Sequence, residues 1–190
     1  MPEWCSPASA VSRVLALALG ENAAQSRPTT ILIDGPSGSG KSSFAVALVA
    51  AWPDVPRPTL VRLDDIYPGW SGLDAASGAV ASSLLAPRAV GLDGGWEGWD
   101  WAASVPTDWH VVSASERLIL EGCGALSRAA APLAGVRVWI EATDAVRKPR
   151  ALARDAGAFD AHWEQWDAQW RRYVAREHPS SHADVFVRGD

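Results

Sequence analysis

Ile31-Leu32-Ile33-Asp34-Gly35-Pro36-Ser37-Gly38-Ser39-Gly40-Lys41-Ser42-Ser43 is the stretch that decides how the chain is read. A short apolar run stops at a glycine-rich loop, and an alanine-rich run of helical character follows. Gly35, Gly40, Lys41 and Ser42 fit the phosphate-loop spacing G-x-x-x-x-G-K-[ST]. Gly35, Gly38 and Gly40 let the backbone curl and aim successive N–H groups at an anion. The loop feeds a helix N-terminus, whose free amides and dipole also favour negative charge. The phosphates of ATP are therefore expected against Gly35, Ser37, Gly38, Ser39, Gly40, Lys41, Ser42 and Ser43. Lys41 would reach the outer phosphates, and the Ser42 hydroxyl would hold Mg²⁺. A Gly/Ser-rich turn can match the spacing by accident. The strand before and the helix after argue against that.

The 190 residues are 48% hydrophobic and 21% charged, as expected of one globular α/β domain over residues 1–190. The net charge of −5 argues against a non-specific nucleic-acid binder, so no nucleic-acid partner is expected. Cys5 and Cys123 are far apart and form neither a disulfide framework nor a metal spacing. Cys123 follows Glu121-Gly122, so it is either near the site or a buried small hydrophobe. His110, His162, His178 and His182 show no ligand pattern and read as surface or packing residues. There is no apolar run of about 18 residues, so no membrane span is expected. Met1 to Ser12 contains Glu3 and no basic start, which makes a poor signal peptide and points to the cytoplasm. The eleven tryptophans, against three Phe and two Tyr, show that this fold uses large amphipathic rings.

Taken in order, Ala8 to Leu19 has helical spacing, and Thr29 to Asp34 reads as a buried parallel strand. Lys41 to Trp52 is the helix after the loop, stopped by Pro53. Thr59 to Leu63 is a strand with Asp64-Asp65-Ile66-Tyr67 at its carboxyl end, where open parallel sheets place ligands. Leu73 to Leu85 reads as a helix. Ala86 to Thr107 fits no period and reads as a long Trp- and Gly-rich loop on the substrate side. Arg117 to Glu121 and Val136 to Glu141 are strands, with a short helix expected between them over Leu126 to Leu133. Ala145 to Ala156 and Ala161 to Arg176 are helices, and Ala183 to Val187 is a last strand. Arg147, Arg150 and Arg154 share one face of the first of these helices. Trp163, Trp166, Trp170 and Tyr173 share one face of the second, and read as core. The sum is a doubly wound, mainly parallel five-stranded sheet with helices on both faces, the fold of a P-loop NTPase.

Gly35 to Ser42, Asp64-Asp65-Ile66-Tyr67, Leu120-Glu121-Gly122, Arg150 to Asp155 and Ala183 to Gly189 together resemble the uridine kinase and phosphoribulokinase-like group of P-loop kinases. The resemblance implies that Asp64 is the base for the acceptor hydroxyl and that Tyr67 touches the substrate. It implies that Glu121 stands in the metal shell. It also implies a lid near Arg147–Phe159, with Arg147, Arg150 and Arg154 on the phosphates.

Phosphoryl transfer depends on positioning and on neutralising charge. Lys41, Arg150 and Arg154 would spread the charge on the moving group, and a carboxylate such as Asp64 helps an alcohol lose its proton. Asp65 either forms the turn or orients metal-bound water. Trp96, Trp99 and Trp101 either stack on a substrate or form a hydrophobic flap, and Asp100 between two of these rings could bind substrate hydroxyls. Between Ile66 and His110 the only basic residue among Lys and Arg is Arg88, which favours a small neutral hydroxyl acceptor over a nucleotide. The expectation is therefore an ATP- and Mg²⁺-dependent kinase acting on a hydroxyl of a small metabolite, with a nucleoside the leading class. The alternatives are a nucleoside monophosphate kinase and a non-catalytic ATP-dependent switch.

Overall fold

The computed structural model describes residues 3–22, 28–154 and 157–190. Strand β2 (Thr30–Asp34) is buried along its whole length, and its side chains alternate between two cores. Ile31 and Ile33 face α1 (Pro7–Asn22) and α2 (Lys41–Ala50), while Leu32 faces the opposite layer. This two-residue period is what a strand covered on both faces requires. The same division sends Ile119 of β6 (Leu118–Glu121) to the first core and Leu118 and Leu120 to the second.

Six strands form the main sheet, and every pairing in it is parallel. With β1 (Trp4–Cys5), β3 (Thr59–Arg62), β7 (Val136–Glu141) and β8 (Val185–Arg188), the order is β1-β8-β7-β2-β6-β3. The strand beyond the five expected is β1, a two-residue edge beside β8, too short to show a period. The second face is covered by α3 (Leu73–Ala79) and α6 (Trp163–Glu177). Helix α3 continues through a π-helical turn (Val80–Leu85) into α4 (Ala86–Ala89). Trp163, Trp166, Trp170 and Tyr173 are buried here, as their spacing predicts. Among the described residues no helix is long and apolar enough to cross a membrane.

Two expectations fail. The stretch Ala86 to Thr107 is not an irregular loop. It ends the helix and then forms β4 (Gly94–Asp100), which pairs antiparallel with β5 (Val105–Val112) as a separate hairpin. A register shift between Glu97 and Trp99 breaks the alternation that would have revealed the strand. Leu126 to Leu133 is not an α-helix either; only a 3₁₀ turn forms, at Ala131–Leu133. Helix α5 (Asp144–Arg154) forms as expected up to Arg154, and residues 155 and 156 lie outside the described residues.

At the end of β2, Asp34 is fully buried and accepts four hydrogen bonds. Oδ1 takes the N–H of Gly35 at 2.7 Å and of Gly124 at 3.1 Å. Oδ2 takes the N–H of Leu126 and the hydroxyl of Tyr173, both at 2.8 Å. Burial pushes the pKa of this carboxyl up, and the bonds from Leu126, Tyr173 and Gly35 oppose the shift. Asp34→Ala would leave these donors without their acceptor. We expect a loss of roughly 3–5 kcal/mol in urea unfolding, and about 1–2 kcal/mol for Tyr173→Phe. A loss below about 1 kcal/mol for Asp34→Ala would remove the carboxylate from this role.

Candidate functional site

The glycine loop lies at the carboxyl ends of β2, β6 and β7 and is gripped by backbone. A Cβ on Gly35 would stand 2.0 Å from the Ile140 carbonyl oxygen, and one on Gly38 would stand 2.0 Å from that of Arg147. Both residues also adopt positive φ, so glycine is required twice over. Gly189, after β8, presses on the Ser39 carbonyl from the other side.

Ser37, Gly38, Gly40, Lys41, Ser42 and Ser43 line a cavity of about 180 Å³. Asp64, Glu121, Cys123, Arg150 and Arg154 close it. The structure therefore brings together the loop, the acid at the end of β6, the aspartate after β3 and two arginines of α5. Lys41 is buried, with Nζ donating to the Pro36 carbonyl at 2.9 Å and lying 3.6 Å from Cys123 Sγ. Cys123 is thus both a buried small residue and part of the cavity wall. Burial pushes its thiol pKa up. Ser39 is fully buried with its hydroxyl turned towards Gly35, and it does not line this cavity.

Glu121 is 2% exposed, and its Oε1 has no hydrogen-bond partner among the described residues. Burial raises its pKa, against the nearby Lys41 charge and a hydrogen bond from Ser42. The nearest cation to that oxygen among the described residues is Arg62, whose Nε lies 3.8 Å away as an ion pair without a hydrogen bond. A buried carboxylate oxygen with no hydrogen bond, beside a hydroxyl, suits a hard cation. Among the described residues no group of three or more His, Cys, Asp and Glu could hold a metal by itself. A cation here would need phosphate oxygens as well, which is how Mg²⁺ is usually held beside nucleotides.

Asp64 sits in the 3₁₀ turn Leu63–Asp65 directly after β3, with Oδ2 3.7 Å from Arg154 Nη1. Asp64, Ser37 and Arg154 also line a second cavity, of about 330 Å³. Its remaining walls are Tyr67, Trp70, Trp101, Phe159, Trp166 and Ala158. Tyr67 presents its ring, because its buried hydroxyl donates to the Cys123 carbonyl at 2.8 Å. Trp101, at the tip of β4, donates its indole N–H to the Asp64 carbonyl at 2.7 Å and tilts against Trp70 at 4.9 Å. A third cavity, of about 520 Å³, opens on the far side of the loop. It shares Gly40, Ser43 and Arg150 with the phosphate-sized cavity, and is bounded by Phe44, Val187 and Gly189.

Four expected residues stand elsewhere. The Arg147 guanidinium is buried and bound to Asp144 at 2.7 Å and Asp167 at 2.6 Å, over the ring of Trp163. It anchors α5 to α6 and does not line the loop cavity. Asp100 uses Oδ1 to accept from the N–H groups of Ala102 and Ala103, so it shapes the hairpin turn. Asp65 is exposed beside Arg62 and His110 and lines neither the loop cavity nor the aromatic one. Trp99 packs near Gly69 and lines neither as well. Arg88, the one arginine of the acceptor-side segment, is buried and donates to the carbonyls of Val112, Ser113 and Glu116. Trp70, which the sequence places in a turn, and Phe159, the end of the expected lid region, also line the aromatic cavity, a role that the sequence reading does not assign to either. Both lie beside turns, where periodicity has no signal. Trp166 reads first as a core residue, and the structure gives it both places: it is buried, and it also lines the aromatic cavity.

No family model matches the chain, and no curated protein matches it. Solved structures do. A protein described as a possible uridine kinase from Bacillus stearothermophilus superposes with a TM-score of 0.63 at 15% identity, covering 94% of this chain and 97% of its own. A protein described as a fructose transport system kinase from Silicibacter sp. TM1040 superposes with a TM-score of 0.50 at 17% identity, covering 92% of this chain and 98% of its own. Identities this low establish shared architecture. The α/β fold of this chain is the fold of its P-loop kinase neighbours.

Proposed function

We propose that this protein is an ATP-dependent phosphotransferase that moves the γ-phosphoryl group to a hydroxyl of a small metabolite. The observation that carries the reading is the shared wall between two cavities. Asp64, Ser37 and Arg154 line both the loop cavity and the ring-lined one. A phosphoryl group held in the first would face a hydroxyl held in the second, with a carboxylate at the junction. The third cavity, across Gly40, Ser43 and Arg150, suits the nucleoside end of the nucleotide.

In this reading Asp64 accepts the proton of the attacking alcohol. Lys41, Arg150 and Arg154 meet the charge that spreads over the transferring oxygens. The loop amides hold the phosphates. Ser42 and Glu121 would hold Mg²⁺, which when bound neutralises charge between the phosphates. The kinase neighbours support this class of activity, and the intact Lys41, Ser42, Glu121 and Asp64 favour catalysis over a switch without chemistry. The burial of Arg88 supports a neutral acceptor, because no other Lys or Arg of that segment is available to grip an acceptor phosphate.

Asp64→Asn should leave binding of an ATP analogue nearly unchanged by calorimetry while lowering turnover by roughly a hundredfold or more. Equal turnover would take Asp64 out of the reaction. Lys41→Ala should weaken both binding and turnover.

Glu121 allows a test by pH. Its raised pKa means the folded chain keeps this proton to higher pH than the unfolded chain does. Its contribution to stability is therefore present at low pH and is lost as pH rises above the ordinary glutamate value towards the folded pKa. Glu121→Gln should thus melt higher than wild type at neutral pH in the absence of ligand, by about 2–4 °C for each kcal/mol recovered. The gap should close as pH falls to the ordinary glutamate range. The variant should also lose the extra stabilisation that Mg²⁺ with ATP gives the wild type. A variant that melts lower at neutral pH and keeps the Mg²⁺ response would overturn both roles.

A further inference from the structure

The cavity beyond Asp64 is unlike a site for a sugar. Tyr67, Trp70, Trp101, Phe159 and Trp166 supply five rings to its wall. They come from three separate places: the segment after β3, the hairpin tip, and the α5–α6 connection with α6 itself. The rings brace one another. Trp70 stacks on Phe159 at 5.1 Å and 22°, on His162 at 4.4 Å and 11°, and Tyr67 meets Trp166 edge-on at 4.8 Å. A wall held this way is formed before a ligand arrives, which limits the ordering that binding requires.

Among the described residues, the hydroxyl and charged side chains that line the cavity are Ser37, Asp64 and Arg154, and all three belong to its junction with the phosphate end. Of the four polar ring tips in the wall, two are committed and one is closed off, which leaves the Trp70 N–H as a single donor beside the rings. The Tyr67 hydroxyl is bound to Cys123, and the Trp101 N–H to Asp64. The Trp166 N–H has no partner among the described residues, but it is shut off from accessible space and so from the cavity. A ribose or hexose would have to bury several hydroxyls against carbon. Each hydroxyl left without a partner costs on the order of tenfold in affinity. A flat apolar ring loses nothing there and gains stacking and edge contacts. The single hydroxyl that such a molecule needs would lie at Asp64. A quaternary ammonium alcohol could also meet the ring faces. Arg154 and Asp64 pair at 3.7 Å on the same wall and leave no unpaired carboxylate there for its charge, so choline is the rival that the test includes.

We infer that the acceptor is an alcohol carried on a flat, largely apolar ring system, with its hydroxyl on a short arm that reaches Asp64, and that it is neither a nucleoside nor a sugar. This rests on the phosphotransferase reading above. In the transfer, the alcohol oxygen bonds to the γ-phosphorus, the bond from that phosphorus to the bridging oxygen of ADP breaks, and the alcohol proton passes to Asp64.

The test uses the full chain with Mg²⁺ and a non-hydrolysable ATP analogue, titrated by calorimetry with 2-(2-naphthyl)ethanol, uridine, fructose and choline. ADP release with ATP is followed in parallel. The naphthyl alcohol should bind at least tenfold more tightly than the other three and should raise ADP release above the water background. Trp101→Ala and Phe159→Ala should each weaken that binding by roughly tenfold or more. Trp101 is 37% exposed, so its variant should fold even where removal of buried Phe159 does not. Equal or tighter binding of uridine, fructose or choline overturns the inference. So does no binding of the naphthyl alcohol, or binding that Trp101→Ala leaves unchanged. If the ATP analogue itself is not held, the phosphotransferase reading fails. If the analogue is held and the naphthyl alcohol is refused, only the acceptor class fails.

Discussion

The buried carboxylate of Asp34 fixes the relative positions of the parts that make the site. An ionised carboxylate only accepts, and here each oxygen takes two donors. Oδ1 joins the start of the glycine loop to the turn that follows Glu121 and Cys123. Oδ2 joins that same turn to Tyr173 of α6. Helix α6 then carries Asp167, which grips Arg147 of α5, and the Arg147 carbonyl presses on Gly38 of the loop. The path closes on itself: loop, turn, α6, α5, loop. Arg150 and Arg154 take their places at the cavity from this circuit, although neither touches Asp34. Buried polar networks of this kind are worth more than their separate bonds, because each member fixes the geometry of the next.

The tryptophans follow the same plan. Trp139 stacks on Trp170 at 5.7 Å beneath α6, and Trp163 lies under the Arg147 guanidinium at 5.1 Å. These rings hold α6 and α5 against the sheet. Trp70, Trp101 and Trp166 continue the aromatic layer outward until it opens as a cavity wall. Core and site are therefore one continuous stack, and a ring can serve both on its two edges. The hairpin contributes at its tip, through Trp101, while much of β5 remains exposed to solvent.

How much of this the residues reveal in advance depends on the range of the interaction. The glycine loop is legible because its spacing is local and each position has a single job. Asp64 and Glu121 are legible because strand ends in a parallel sheet converge on one edge. The two strands of the hairpin hide behind glycines and a register shift that destroy the period of two. Arg147 looks like its neighbours Arg150 and Arg154 on a helix face, and only Asp167, twenty residues on, turns it inward. Asp100 looks like a ligand-binding group until the turn claims its oxygen for two amides. Trp70 stands in a turn, and its importance comes from rings brought in from α6 and the connection before it. For Arg147 and Trp70 a long-range partner decides the role, and for Asp100 the local turn does.

The two halves of the site differ sharply in chemistry, and the difference has a consequence for turnover. The loop side gathers Lys41, Arg150 and Arg154 against Asp64 and Glu121 in a chain whose net charge is −5, a local excess of cations that would favour small anions in a generally acidic molecule. The acceptor side offers rings. Among the described residues lining it, Arg154 is the one cation. The phosphorylated product proposed above would carry new negative charge between Asp64 and apolar walls, where Arg154, the described cation that lines both cavities, would meet it. To do so the guanidinium must leave its position 3.7 Å from the Asp64 carboxylate. For the acceptor proposed above, the neutral alcohol would suit the ring-lined cavity and its phosphorylated form would not, so the same apolar wall would favour the acceptor and disfavour the product.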